Sequence, residues 1–164
     1  MRAALLICCS FLAVFSSRFV RADGETLPKK LSAYSGGGWT GFYFVELDGD
    51  SLLYWRDPSN KDTAERIKPS LANWRAFREE LDAIAIWQWH SDYSTRAIFD
   101  ATHWTFEVEY SDRSVKTGGD SGVFPDKDGS AVSPSRAFPN YAPESYVRYV
   151  WAVQKLLDCR EFPQ

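Results

Sequence analysis

Four residues near the middle of the chain have side chains that bind metal ions or transfer protons: His90, Asp92, Asp100 and His103. Two imidazoles and a carboxylate suit zinc or iron, and an imidazole beside a carboxylate can serve acid–base hydrolysis. No helical His-Glu-x-x-His motif supports a metal site, and loop-like residues separate the two pairs. The alternative places both histidines near surface turns, with Asp100 accepting from backbone amides at a strand start. We favour that alternative and therefore expect no metal and no cofactor.

Aromatic residues offer a second kind of site, since they make up 16% of the chain. The candidates are Trp39, Trp55, Trp87 and Trp89, which could form a platform for a protein or for sugar rings. The alternative, which we favour, is that these tryptophans fill the interface between a sheet and its helices.

The elements that hold these residues follow an N-terminal stretch typical of a secretory signal peptide. A positive Arg2 precedes an apolar run over residues 3–15, and Val20-Arg21-Ala22 resembles a cleavage site. We expect cleavage after Ala22, or alternatively after Ser16, and export to the periplasm or the exterior of a bacterial cell. The run is too short to span a membrane. A lipoprotein anchor is not expected, because the apolar run continues past both early cysteines.

The net charge of −3 becomes more negative when residues 1–22 are removed, since they hold three arginines and no acid. An acidic chain argues against a general nucleic-acid binder and against docking on anionic lipid. About 140 residues would remain, which is enough for one domain with its own core. Cys159 is then the one cysteine that remains, so no internal disulfide can form. We expect it to be buried or half-buried, with pairing to another chain as the alternative.

The first half of the domain predicts a hairpin, a helix and a short strand. The hairpin joins residues 39–47 and 51–56 through Asp48-Gly49-Asp50. Because both of its faces carry large apolar groups, it either lies centrally in the sheet or leaves an aromatic face for a partner. Ser70 is the predicted N-cap of a helix that ends near Ala83. Residues 84–89 then alternate with period two, which favours a strand.

The second half predicts another hairpin and a last helix. Trp104–Tyr110 alternates between apolar and polar residues, which is typical of a half-buried antiparallel strand. A turn follows, and residues 115–118 return. Residues 118–143 form a long loop, of a kind that is functional or mobile. Pro143 then fits the N1 position of the final helix.

These elements predict an α+β fold, with an antiparallel sheet of about five strands and two helices packed on one face. The predicted divisions are a signal peptide at 1–22, a flexible lead-in at 23–35, a single domain at 36–158 and a C-terminal tail at 159–164.

One set of aromatic and glycine residues resembles a small, uncharacterised bacterial α+β domain family. That family has a W-x-W, a Tyr, an Asp-Gly-x-x-Trp and a Gly-to-Tyr-Pro segment between its helices. The matching residues here are Trp87 and Trp89, Tyr93, Asp100 and Trp104, Gly118, and Phe124-Pro125, after Trp74 and Phe77 in the preceding helix. Ala101 stands in place of the Gly and Phe124 in place of the Tyr, so any family site that uses that hydroxyl is absent here. The resemblance implies an α+β fold and no known activity.

Three classes of function remain open. The first is an exported, non-enzymatic binding or inhibitor-like domain that recognises protein or glycan through the sheet face or through residues 118–143. The second is a small metal-dependent or acid–base hydrolase built on the two histidines and two aspartates. The third is a structural protein of the cell envelope. We favour the first class and lean against an enzyme.

Overall fold

The structure is a computed structural model, and it describes residues 26–37, 41–94, 102–120, 122–133 and 142–163. Two helices and eight strands are described. They are β1 (Lys30–Gly36), β2 (Phe42–Asp48), β3 (Ser51–Trp55), β4 (Glu65–Ile67), α1 (Leu71–Ala83), β5 (His103–Glu109), β6 (Ser114–Asp120), β7 (Phe124–Pro125), β8 (Ala131–Val132) and α2 (Glu144–Leu156).

Six strands form one antiparallel sheet in the order β4-β3-β2-β1-β5-β6, and β7 pairs with β8 in a separate small ribbon. The two helices contact each other. Their apolar residues join those of one sheet face in a single core. The predicted α+β fold is confirmed. None of the described helices is long and apolar enough to cross a membrane.

The inner face of the sheet is the one that meets the helices. Successive residues of each strand alternate between buried and more exposed positions, as a sheet covered on one side requires. In β5 the buried residues are Trp104, Phe106 and Val108, as the alternation predicted. Ser70 caps α1 through its Oγ, which accepts a hydrogen bond from the Asn73 amide at 3.1 Å. The predicted N-cap of α1 at Ser70 and its predicted end near Ala83 are both confirmed.

The strand at Lys30–Gly36 corrects the prediction of a flexible lead-in up to residue 35. It lies at the middle of the sheet, between β2 and β5. Its small polar residues resemble a linker, but Leu31 and Ala33 alternate inward and are each 3% exposed. The prediction is wrong from Lys30 onward because strand partners far away in the sequence supply the pairing.

Residues 84–89 are not a strand, which corrects a second prediction. Ala85 has a φ of 54°, in the left-handed region, and Ile86–Gln88 form a 3-10 turn. Ile84 and Ile86 are both buried, at 1% and 0% exposure. Two buried residues at i and i+2 imitate the period of a strand when a chain turns sharply beneath a core.

The C-terminal residues are fixed to the domain. Phe162 is 1% exposed, and its carbonyl accepts from Gln154 Nε2 at 2.7 Å. The Glu161 carbonyl accepts from the Tyr54 hydroxyl at 2.8 Å. The tail predicted at 159–164 therefore contributes to the core at residue 162.

Cys159 is exposed, so its predicted burial is wrong. Pro143 is the N-cap of α2, one position earlier than predicted.

Candidate functional site

Three of the four predicted catalytic or metal-binding residues, His90, Asp92 and His103, lie in the described parts of the chain. Asp92 and His103 line one cleft of about 530 Å³ beside β5 and β6. His90 is not among the residues that line that cleft, and its ring lies 6.0 Å from the ring of Tyr93. Asp100 lies outside the described residues. Within the described parts of the chain, no group of three or more His, Cys, Asp or Glu side chains is placed to hold a metal ion.

An ion-pair cluster centred on Glu107 lies at the cleft beside β5 and β6. Glu107 pairs with Lys30 at 2.7 Å and with Lys116 at 3.8 Å. The hydrogen bond from Lys30 lowers the pKa of the Glu107 carboxyl, with further help from the charge of Lys116. A carboxylate kept ionised in this way is poorly suited to donate a proton near neutral pH.

Tyr93 fixes the chain between this cleft and the small ribbon. Its hydroxyl accepts from the His90 amide at 2.8 Å and donates to the Gly129 carbonyl at 2.7 Å. Gly129 has a φ of 80°, and a Cβ there would lie 2.3 Å from the carbonyl oxygen of Gln88. Only glycine fits such a turn without displacing backbone. The predicted long loop therefore contains an ordered ribbon, and residues 134–141 of it lie outside the described residues.

Two of the candidate tryptophans, Trp87 and Trp89, pack in or against the core. Trp89 is 5% exposed, and its ring packs edge-on against Trp104 at 6.4 Å and against Tyr149 at 5.8 Å. Trp87 is half-buried, and its Nε1 donates to Asp82 Oδ1 at 2.7 Å. Both side chains therefore have packing or hydrogen-bonding partners within the domain.

Trp87 belongs to a buried charge cluster centred on Arg78, which is 6% exposed. The guanidinium donates to both carboxylate oxygens of Asp112, at 3.0 and 2.8 Å, and contacts Asp82 at 3.3 Å. It also lies 4.9 Å from the ring centre of Trp87 and 4.4 Å from that of Tyr110. The hydrogen bond from Arg78 holds the pKa of Asp112 well below its usual range, and burial raises the pKa of Tyr110. This cluster ties α1 to the turn between β5 and β6.

Trp55 takes part in a different arrangement, on the outer face of the sheet, away from the helices. Tyr34, Phe44 and Trp55 are direct cross-strand neighbours on β1, β2 and β3. The ring centres of Tyr34 and Phe44 are 5.0 Å apart, and those of Phe44 and Trp55 are also 5.0 Å apart. We call these three rings the aromatic ladder. Trp39, the remaining candidate, lies outside the described residues.

The spacing of the aromatic ladder determines which part of each ring meets solvent. Neighbouring strands are about 4.8 Å apart, so rings that follow this spacing stand side by side on the sheet. The planes of Phe44 and Trp55 differ by only 10°. The faces of Phe44 and Trp55 are therefore directed mainly toward each other, and Trp55 is 7% exposed.

Further apolar side chains extend the ladder into a patch. Phe42 lies two residues before Phe44 on the same face and is 39% exposed. Tyr34, Phe44 and Leu53 are half-buried. Ion pairs lie around the patch, and they join Lys30 to Glu107, Lys61 to Glu46, and Arg66 to Asp48. An aromatic centre inside a charged rim is the usual anatomy of a protein interface.

The sequence predicts only part of this patch. It leaves two outcomes open for the hairpin of β2 and β3, a central place in the sheet or an aromatic face for a partner. Both strands lie inside the sheet, between β4 and β1, and aromatic side chains also line their outer face. Tyr34 was missed, because it lay in the predicted lead-in. The available signal was the alternation within β1, which puts Leu31 and Ala33 on one face of the strand and Tyr34 on the other.

The chain matches no protein-family model, no curated protein and no solved structure. Its function is therefore inferred from its own geometry.

Proposed function

We propose that this protein is an exported, non-enzymatic binding domain that docks a partner protein on the outer face of its sheet. The observation that carries the proposal is the aromatic ladder of Tyr34, Phe44 and Trp55, with the exposed Phe42 beside it. Large aromatic side chains supply much of the energy of protein interfaces because they bury a large area with few rotatable bonds.

A protein partner fits the ladder better than a glycan does. A sugar ring stacks its C–H groups on the open face of an aromatic ring. In the ladder the rings of Phe44 and Trp55 are stacked with centres 5.0 Å apart, Lys61 Nζ lies 5.0 Å from the centre of the indole, and Trp55 is 7% exposed. No open ring face is therefore presented at Trp55. Several rings side by side form a ribbed apolar surface, which suits interdigitation with the side chains of a protein.

The charged rim also favours a protein partner, because its charges already have partners within the chain. Lys30 contacts Glu107, and Arg66 contacts Asp48. A partner that covers the apolar centre can leave these pairs solvated at the edge, where they cost little. The proposal of export is supported by the signal-peptide pattern at the N-terminus. The partner is therefore sought in the envelope or the medium.

Site-specific photo-crosslinking tests the proposal, because the chain offers matched control positions. Phe42, Leu71 and Trp151 are all exposed large apolar residues, at 39%, 58% and 52%. Only Phe42 lies on the outer sheet face, whereas the other two lie on α1 and α2. p-Benzoylphenylalanine at each position, in the exporting cell, is expected to give one discrete adduct from position 42 and none from the helix positions.

A second variant pair separates docking from general stickiness. Phe42→Asp should abolish capture of the crosslinked partner by the purified mature protein, while Leu71→Asp should leave capture unchanged. Both side chains are exposed, so both variants should keep the wild-type melting temperature. Equal adducts from all three positions, or no adduct from position 42, would refute the docking face.

A further inference from the structure

We infer that the face of Trp55 together with the carboxylate of Glu46 forms a cation subsite, which Lys61 fills in the free protein and a basic side chain of the partner fills in the complex. The inference rests on the proposed docking of a protein on the outer sheet face, and it names the chemistry of that partner at one end of the ladder.

The subsite is seen because the chain's own ammonium group occupies it. Lys61 Nζ lies 5.0 Å from the ring centre of Trp55 and is hydrogen-bonded to Glu46 Oε2. Phe44 is stacked on the same indole, with the two ring centres 5.0 Å apart. An aromatic face and a carboxylate acting on one cation is the recognition chemistry of ammonium and guanidinium groups.

The segment that carries Lys61 is held in a way that allows it to be displaced. It follows β3 at residues 57–64, and its 3-10 turn at Lys61–Thr63 buries no residue. Its internal hydrogen bonds are local, from the Ser59 amide to Asp57 at 2.9 Å and from the Thr63 hydroxyl to the Asn60 carbonyl at 2.7 Å. These hydrogen bonds do not involve the Lys61 side chain, so they remain when its ammonium group leaves Trp55. Replacing one cation with another therefore leaves the fold intact.

The position of the subsite gives it a role in choosing the partner. Trp55 is the last rung of the aromatic ladder, and Glu46 lies two residues beyond Phe44 on the same face of β2. With Lys61 in place, Trp55 is only 7% exposed. A partner that covers the ladder and offers a Lys or Arg at this end replaces the internal cation and gains the indole face. A partner without such a group leaves Lys61 where it is.

The test uses small probes and the mature protein, and it needs no knowledge of the partner. The probes are N-acetyl-lysine methylamide and N-acetyl-norleucine methylamide, which share the aliphatic stem and differ in the charge. The signal is the indole ¹H–¹⁵N resonance of Trp55, assigned through Trp55→Phe. In Lys61→Ala, the lysine probe should shift this resonance and the norleucine probe should not. In the wild-type protein, where Lys61 competes, the lysine probe should bind at least about twofold more weakly.

The carboxylate is tested in the same way. Adding Glu46→Gln to Lys61→Ala should weaken the lysine probe by about two- to fivefold. An equal shift from norleucine, or no Trp55 shift with lysine in Lys61→Ala, would overturn the subsite. Because crosslinking at Phe42 does not depend on Lys61, a failed subsite leaves the docking face standing. If crosslinking refutes the docking face, the probe experiment still shows whether the cation subsite exists.

Discussion

Replacing Arg78 with Met should destabilise the domain strongly, although the new side chain has a similar length and is apolar. The guanidinium is 6% exposed and makes a two-bond contact with Asp112 and a further contact with Asp82. Methionine can fill the space between the rings of Trp87 and Tyr110, but it offers no donor to either carboxylate.

The magnitude follows from what the substitution leaves behind. Removing one partner of a buried ion pair costs about 3–5 kcal/mol. The side chains of Asp82 and Asp112 keep 28% exposure, and Arg113 still contacts Asp112 at 3.0 Å, so the lower end applies. Two lost cation–π contacts add about 0.5–1 kcal/mol each, which the packing of the methionine partly offsets. We expect a loss of about 3 kcal/mol, or about 10 °C in melting temperature for a domain of this size.

Calorimetry or urea denaturation followed by circular dichroism measures this loss. Arg66→Met is the matched control, since Arg66 pairs with Asp48 on the surface, where both side chains are more than half exposed. That change should cost less than about 1 kcal/mol. If Arg78→Met melts within about 2 °C of the wild type, or if both variants lose the same stability, the buried cluster does not hold α1 to the sheet.

Three further substitutions test the acid side of this ion pair, the turn at Gly129 and the C-terminus. Because Arg78 lowers the pKa of Asp112, the ionised carboxylate stabilises the fold above its unfolded pKa of about 3.9, and this contribution is lost as the pH falls. The stability deficit of Asp112→Asn should therefore shrink between about pH 6 and about pH 2 in urea titrations, and a constant deficit would contradict the ion pair. Gly129→Ala places a methyl group 2.3 Å from a carbonyl oxygen at positive φ, so it should cost at least about 2 kcal/mol by thermal melting; an unchanged melting temperature would refute the close approach. Phe162→Ala should cost about 3–5 kcal/mol in urea, since that ring is 1% exposed, whereas a loss below about 1 kcal/mol would mean that the C-terminus is not part of the core.

Much of the local structure could be predicted because it depends on neighbouring residues. The hydroxyl of Ser70 caps α1 from three residues away, and alternation alone located the buried side of β5. The fold class follows from these elements, since each must bury its apolar side against another. The candidate site was predicted only as a choice between a central hairpin and an aromatic outer face.

The errors lie where distant contacts override local pattern. The lead-in prediction failed because β1 takes its hydrogen bonds from β2 and β5, and the second of these lies some seventy residues away. The strand prediction at 84–89 is wrong because Ala85 adopts a positive φ. That backbone conformation is strained for alanine, and only tertiary packing offsets the strain energy. Cys159 was expected inside, yet the turn that ends α2 leaves it exposed.

By itself, the sequence determined the two helices, the alternation of β5, the turns and the acidic, aromatic-rich character of the chain. Tertiary structure alone decided which aromatic residues form the core and which form the ladder. Trp89 and Trp55 look alike in sequence, but one is enclosed by Trp104 and Tyr149 and the other stands beside Phe44 on the outer face. The physical reason differs for the two residues. Strand register places Trp55, since its pairing with Phe44 sets which face of the sheet it occupies. Trp89 lies at the end of the 3-10 turn after α1, and packing of that turn against the core encloses its ring.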